Sequence, residues 1–141
     1  MTVGYDTTKT LEQLEKNCWG APTYSSYLVK TCHDLRKKPL KDFETEDLRI
    51  MIGQNIGLDH LIPLALIILG ENILAEGDMF EGDLLSNVLK SDKEYWTKNK
   101  ENWKVVISIM DKENTKLNEF DTVNSIKKEW FTSLAEFKTY N

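Results

Sequence analysis

The sequence predicts an all-α fold, and three observations carry that reading. Glycine and proline are few, 7 and 3 among 141 residues. Apolar residues recur at a spacing near 3.6 over long stretches, the mark of helices with one buried face. No stretch keeps the apolar–polar alternation of a half-buried strand. The expected arrangement is a single compact multi-helix domain over 1–141 that closes with a long C-terminal helix. A chain of this length buries roughly two thirds of its unfolded surface, enough for a core without disulfides or metals.

Over 26–38, Leu28, Val29, Cys32 and Leu35 form one stripe, and Pro39 ends the helix. Thr45 is then an N-cap candidate, with Glu46 and Asp47 suiting the positive end of the helix dipole. Leu48, Met51, Ile52 and Ile56 share a face of that helix. Residues 59–70 are apolar almost all round and should form the central helix, with Pro63 in its first turns, where a missing N–H costs least. Asp83 is expected to cap a short helix over 84–90.

A longer helix is read over 95–111, where Trp96, Trp103, Ile107 and Met110 recur at helical spacing. Within it, Val105-Val-Ile-Ser-Ile-Met110 is rich enough in β-branched residues to suit a strand, but the flanking Trp103 and Met110 favour helix. The polar stretch 112–118 reads as a loop or hinge. The last helix, 122–138, carries Val123, Ile126, Trp130, Leu134 and Phe137 on one stripe after the cap candidates Asp121 and Thr122.

Composition narrows function mainly by exclusion. With 18 basic and 23 acidic residues the net charge is −5, so the chain lacks the basic footprint of a nucleic-acid or anionic-membrane binder. The polar N-terminus has no apolar core of a secretory signal peptide, and a cytoplasmic location is expected. The nine apolar residues 61–69 span about 14 Å as helix, half a bilayer's hydrocarbon core, and read as buried. Cys18 and Cys32 have no partner pattern and read as free thiols.

Catalytic signatures are absent: no glycine-rich phosphate loop, no G-x-S-x-G, no H-E-x-x-H. His33 and His60 stand 27 residues apart and read as structural. Cys32 and His33 point about 100° apart on a helix and do not make a nucleophile–base pair. Lys30, Arg36, Lys37, Lys38 and Lys41 crowd the end of the first long helix, where the dipole favours cations. Trp19, Trp96, Trp103 and Trp130 are expected as anchors in the core or at its edge.

The acids are distributed more tellingly. Residues 1–70 hold 8 basic and 9 acidic side chains, whereas 71–83 hold five acids and no base. Those five are Glu71, Glu76, Asp78, Glu81 and Asp83, and two E-G-D triplets, Glu76-Gly77-Asp78 and Glu81-Gly82-Asp83, fall among them. EF-hand spacing is missing, so the triplets read first as turns, with glycine for the backbone and aspartate capping the next element. Exposed turns of this charge also suit recognition of a basic partner. Two other functions remain open on these residues: a small metal-dependent hydrolase using Glu76, Asp78, Asp83 and a histidine, and a helical adaptor subunit held by the C-terminal helix.

An ordered set of words carries more information than any cluster. It runs Leu11-Glu12-Gln13-Leu14-Glu15, Trp19-Gly20-x-Pro22, Ser26-Tyr27-Leu28-Val29 and His33-x-Leu35-Arg36-x-Lys38-Pro39-Leu40. Glu46-Asp47-Leu48-Arg49, Ile52-Gly53-Gln54-x-x-Gly57-Leu58 and Ile62-Pro63-Leu64-Ala65-Leu66 come next, then Ala75-Glu76-Gly77-Asp78 and Gly82-Asp83-Leu84-Leu85. In order and spacing this set resembles the immunity proteins of bacterial contact-dependent growth inhibition systems, in one of their helical families. The likeness spans 11–96, about three fifths of the chain, and leaves 104–141 as a variable extension.

The resemblance implies a non-enzymatic, cofactor-free and metal-free cytoplasmic protein. Its partner would be the toxic C-terminal domain of a matching toxin, for which a basic nuclease is a fitting example, with no direct contact to nucleic acid or membrane. Neutralisation would come from occluding the toxin's active site or an exosite. The shared words, Gly53, Gly57, Pro63, Gly77 and Gly82 among them, would encode the scaffold. Partner-reading residues are then sought on exposed, divergent surface: Glu71, Glu76, Asp78 and Glu81, with Asp83 the weakest because capping explains it.

Overall fold

A computed structural model describes residues 3–21 and 26–141. Pro22 of the Trp19-Gly20-x-Pro22 word and the first two residues lie outside the described residues. The described chain is all-helical. Its α-helices are α1 (Leu11–Glu15), α2 (Tyr27–Leu35), α3 (Thr45–Gly53), α4 (Leu58–Glu71), α5 (Asp83–Lys90), α6 (Lys93–Lys98), α7 (Lys100–Lys112), α8 (Asn114–Glu119) and α9 (Asn124–Phe137). Short 3-10 turns lie at Leu40–Asp42 and Lys138–Tyr140.

Local side chains cap several of the helix starts. Thr10 caps α1 by accepting from the Gln13 amide, while the Gln13 side chain accepts from the Thr10 amide, a reciprocal capping box that apolar periodicity does not reveal. Ser26 caps α2 through the Val29 amide. Thr45, expected as the N-cap of α3, is instead its first helical residue. Glu44 holds the cap position and donates its amide to the Asp47 carboxylate. Pro63 falls in the second turn of α4, as its sixth residue, so the Asp59 carbonyl loses its helical donor. The Tyr5 hydroxyl donates to the next carbonyl, that of His60.

Three departures fall in the second half. The helix expected over 95–111 starts at Lys93, capped by Asp92, and breaks at Asn99. Asn99 turns its side-chain amide onto the Tyr95 carbonyl at 2.7 Å, taking up the acceptor a continuing helix would use. The stretch expected as a loop over 112–118 is helical over most of its length, in α8, because Leu117 is fully buried and pins that turn to the core. The N-cap position of α9 belongs to Val123, not to Asp121 or Thr122.

The core is one cluster from Leu11 through Phe137, with Met51, Ile52, Leu61, Ile62, Leu84, Leu85, Trp96 and Trp130 at its centre. Helix α3 packs on α2, α4 and α5; α5 packs on α9; α4 packs on α7. Three tryptophans anchor this core. Trp96 donates its indole N–H to Ser91 Oγ, Trp103 to the Phe137 carbonyl and Trp130 to the Gly82 carbonyl. Trp19 differs: it is 39 % exposed, with its ring over the Arg36 guanidinium at 4.4 Å and edge-on to His33.

Arg36 belongs in sequence to the basic cluster at the end of α2, yet it is buried, ion-paired with Glu15 and bonded to the Asn17 carbonyl. Cys18 is exposed and Cys32 buried, both as free thiols, and burial pushes the Cys32 thiol up.

Candidate functional site

The acidic segment folds as a tight hairpin between α4 and α5. Glu76 and Glu81 face each other in an isolated antiparallel bridge, so the two acids stand side by side. The Gly82 amide donates to the Leu74 carbonyl at 3.2 Å and closes the base. At Gly82 the chain turns with φ +90°, a left-handed conformation that suits glycine.

Asp83 organises this loop from beneath. It does not cap its own helix, as the sequence suggested, because it is already the first residue of α5. Its buried carboxylate points back into the hairpin and accepts from the amides of Gly77 at 2.7 Å, Met79 at 3.0 Å and Phe80 at 3.2 Å. Arg49 Nε lies 3.8 Å from the same carboxylate. Burying an acid is costly unless its oxygens are met by donors, and here backbone amides and a cation meet them.

A second clamp comes from α3. Glu46 accepts from both Arg49 Nε, at 2.5 Å, and Arg49 Nη2, at 2.6 Å. Its Oε1 also accepts from the Asp78 amide at 2.9 Å. The Arg49 hydrogen bonds hold the Glu46 carboxyl below the usual carboxylate range against the opposing effect of burial, and the Asp78 amide adds to the lowering. The bond to Glu46 in turn raises Arg49. Gly77 is required for this fit: a Cβ there would come within 2.6 Å of Glu46 Oε1 and 3.2 Å of Asp83 Oδ2.

The amides of Gly77, Asp78, Met79, Phe80, Gly82 and Asp83 therefore all have acceptors, and the hairpin is held from within. Outward it presents Glu76, Asp78 and Glu81, all exposed, around Met79, which is 66 % exposed. Among the described residues, none of the three acids forms an ion pair. Glu71 is exposed at the last turn of α4, the end where the dipole disfavours an acid, and no hydrogen bond or ion pair links it to the hairpin. The structure thus brings Glu76, Asp78 and Glu81 together, buries Asp83 and leaves Glu71 upstream.

Of the clamp residues, Glu46 was already explained by the helix dipole, and Arg49 appeared only within one of the ordered words. Met79 was hidden because a lone apolar residue between acids gives no periodic signal.

Asp83 and both histidines, which the hydrolase alternative would use, are engaged in other contacts. Asp83 is committed to backbone amides. His33 is bonded at 3.2 Å to the Gly20 carbonyl, and His60 packs edge-on to Tyr5. Among the described residues, no three His, Cys, Asp or Glu side chains are grouped to hold a metal ion. No described helix is long and apolar enough to cross a membrane.

No curated protein and no solved structure matches the chain. Residues 13–106, two thirds of the chain, match the family of CDI immunity proteins, those of contact-dependent growth inhibition. That segment contains both clamps and the whole hairpin. Membership implies a cognate CDI toxin as binding partner and a role that is not enzymatic. On this match over 13–106, the chain belongs to the CDI immunity proteins.

Proposed function

We propose that the chain neutralises its cognate CDI toxin by seating the acidic hairpin, through Glu76, Asp78 and Glu81 around Met79, against a basic surface at the toxin's active site or an adjoining exosite. The observation that carries this reading is the contrast between the two sides of one loop. Its inner side is fastened by Asp83 and Glu46, and its outer side leaves three acids without ion-pair partners among the described residues, around an exposed methionine. A loop held in this way gives up little conformational entropy when it docks. Exposed acids steer a basic partner and reject wrongly charged ones, and a thioether at the centre supplies an adaptable apolar anchor. Glu71 contributes from the edge of the same acidic stretch. The partner is a basic domain, for which a nuclease is a suitable chemistry, and nucleic acid itself is not bound.

The decisive experiment is co-expression with the toxin domain encoded beside this gene, followed by association kinetics on the purified pair. Growth rescue and a complex on a sizing column are expected. Reversing the charge at Glu76, Asp78 and Glu81 together should slow association by roughly 10- to 100-fold at low salt and flatten its salt dependence. Reversal at Glu71 alone should act in the same direction and more weakly. Rescue with unchanged kinetics would place the interface elsewhere, and absence of both rescue and complex would reject the pairing.

A further inference from the structure

The hairpin has a third support, and it comes from outside the family-matched segment. Trp130, on α9, is fully buried with its ring edge beneath Gly82. Trp130 Cζ2 is the ring atom nearest the point a Cβ on residue 82 would occupy, with Cε2 at 3.0 Å and Cη2 at 3.2 Å from it. The ring therefore fills the space that glycine leaves open at the turn. Its indole N–H donates to the Gly82 carbonyl at 3.3 Å. Phe120 lies tilted against Trp130, 6.5 Å between ring centroids, and Glu129 is ion-paired with Lys90 at the end of α5. The Gly82 peptide is thus fixed by Leu74 on one side and by a helix 48 residues downstream on the other.

We infer that Trp130 is a positioning residue for toxin recognition, and that α9, beyond the matched residues 13–106, sets the pose of the hairpin. The inference rests on reading the hairpin as the toxin contact. Asp83 and Glu46 come from the matched segment and fasten the hairpin tip through residues 77–80. Trp130 fastens its base. Acting through Gly82 and touching no partner itself, it gives the C-terminal extension a place in partner choice: a change in α9 packing shifts the pose of three acids without altering any of them.

The test compares Trp130→Phe with Trp103→Phe. Each variant loses one indole N–H bonded to a main-chain carbonyl, Gly82 for Trp130 and Phe137 for Trp103, and only the first lies under the hairpin. Hydrogen exchange on the free protein should show the amides of residues 77–82 exchanging about fivefold faster in Trp130→Phe, the fold-change of one net hydrogen bond. Trp103→Phe should leave them within twofold at a similar global midpoint. Dissociation of the toxin domain should quicken by a similar factor in Trp130→Phe alone. Should Trp130→Phe not fold, Phe120→Leu removes an aromatic neighbour of the same ring and should move both readouts in the same direction. Unchanged hairpin exchange in the Trp130 variant, or equal effects from both tryptophans, would overturn the positioning role. Faster exchange with unaltered toxin kinetics would leave Trp130 supporting the hairpin and remove the hairpin from the toxin interface.

Discussion

Asp83 Oδ1 accepts the amide of Gly77 at 2.7 Å, so an acid at the start of α5 closes a loop that begins six residues earlier. Its other oxygen serves Met79 and Phe80. Asp83→Asn preserves shape but turns one acceptor oxygen into a donor that faces backbone amides. Leaving buried amides unmet costs about 1–3 kcal/mol. The expected result is a lower denaturant midpoint with an unchanged slope, and faster exchange at the amides of residues 77, 79 and 80.

The Glu46 clamp predicts an acid limit to stability. Its carboxyl is lowered in the folded chain, first by the Arg49 hydrogen bonds. The folded state therefore holds fewer protons there than the unfolded state, whose glutamates titrate near about 4.3. The contribution is complete above that value and is lost as pH falls through the lower folded one. Urea midpoints should drop over this range in the native chain. The drop should be smaller in Glu46→Gln, which begins less stable at neutral pH.

Two glycines of the hairpin separate a steric requirement from a conformational one. At Gly77 the obstacle to a Cβ is the end of the Glu46 side chain, which can swing away at the expense of its bond to the Asp78 amide. Gly77→Ala should cost about 1 kcal/mol, one net hydrogen bond. At Gly82 the obstacle is the fully buried ring of Trp130, and φ is +90° besides. Gly82→Ala should cost at least about 2 kcal/mol, backbone strain of about 1 kcal/mol or more coming on top of the overlap. Equal losses in the two variants, measured by chemical denaturation, would contradict this account.

These relationships show which parts of the fold were legible. Helix α4 was readable because it is apolar almost all round, and α9 because Trp130, Leu134 and Phe137 recur at helical spacing. The break at Asn99 was not, since it depends on a side-chain amide choosing its own helix's carbonyl over solvent. Likewise α8 hangs on Leu117 alone, and one residue has no period. The charge pattern located the hairpin, since Glu76, Asp78 and Glu81 cluster in sequence as they do in space. The approach of Asp83 to Arg49, the bond from the Asp78 amide to Glu46 and the reach of Trp130 to Gly82 join residues 34, 32 and 48 positions apart, and local patterns carry no such information. Burial of Arg36 was hidden for the same reason: its partner Glu15 lies in another helix.

Tyr5 sets a corresponding limit at alkaline pH. Its hydroxyl donates to the His60 carbonyl, one residue beyond the carbonyl that Pro63 leaves without its helical donor. Burial, with a smaller contribution from Tyr95, pushes its pKa up to about 12. An unfolded tyrosine ionises near about 10. The unfolded state therefore loses its proton first, and the contribution of Tyr5 to stability, intact below that pH, disappears as pH rises towards the folded value. Tyr95 and Tyr140 are raised as well, chiefly by burial, so the native chain should weaken progressively over this range. Tyr5→Phe loses the hydrogen bond, about 1 kcal/mol at neutral pH. Its further loss of stability between neutral and strongly alkaline pH should be smaller than that of the native chain. A spectrophotometric titration of the folded protein should show one fewer late-ionising phenol in the variant. Parallel stability curves for the two proteins above about pH 10 would mean that Tyr5 ionises as freely in the fold as outside it.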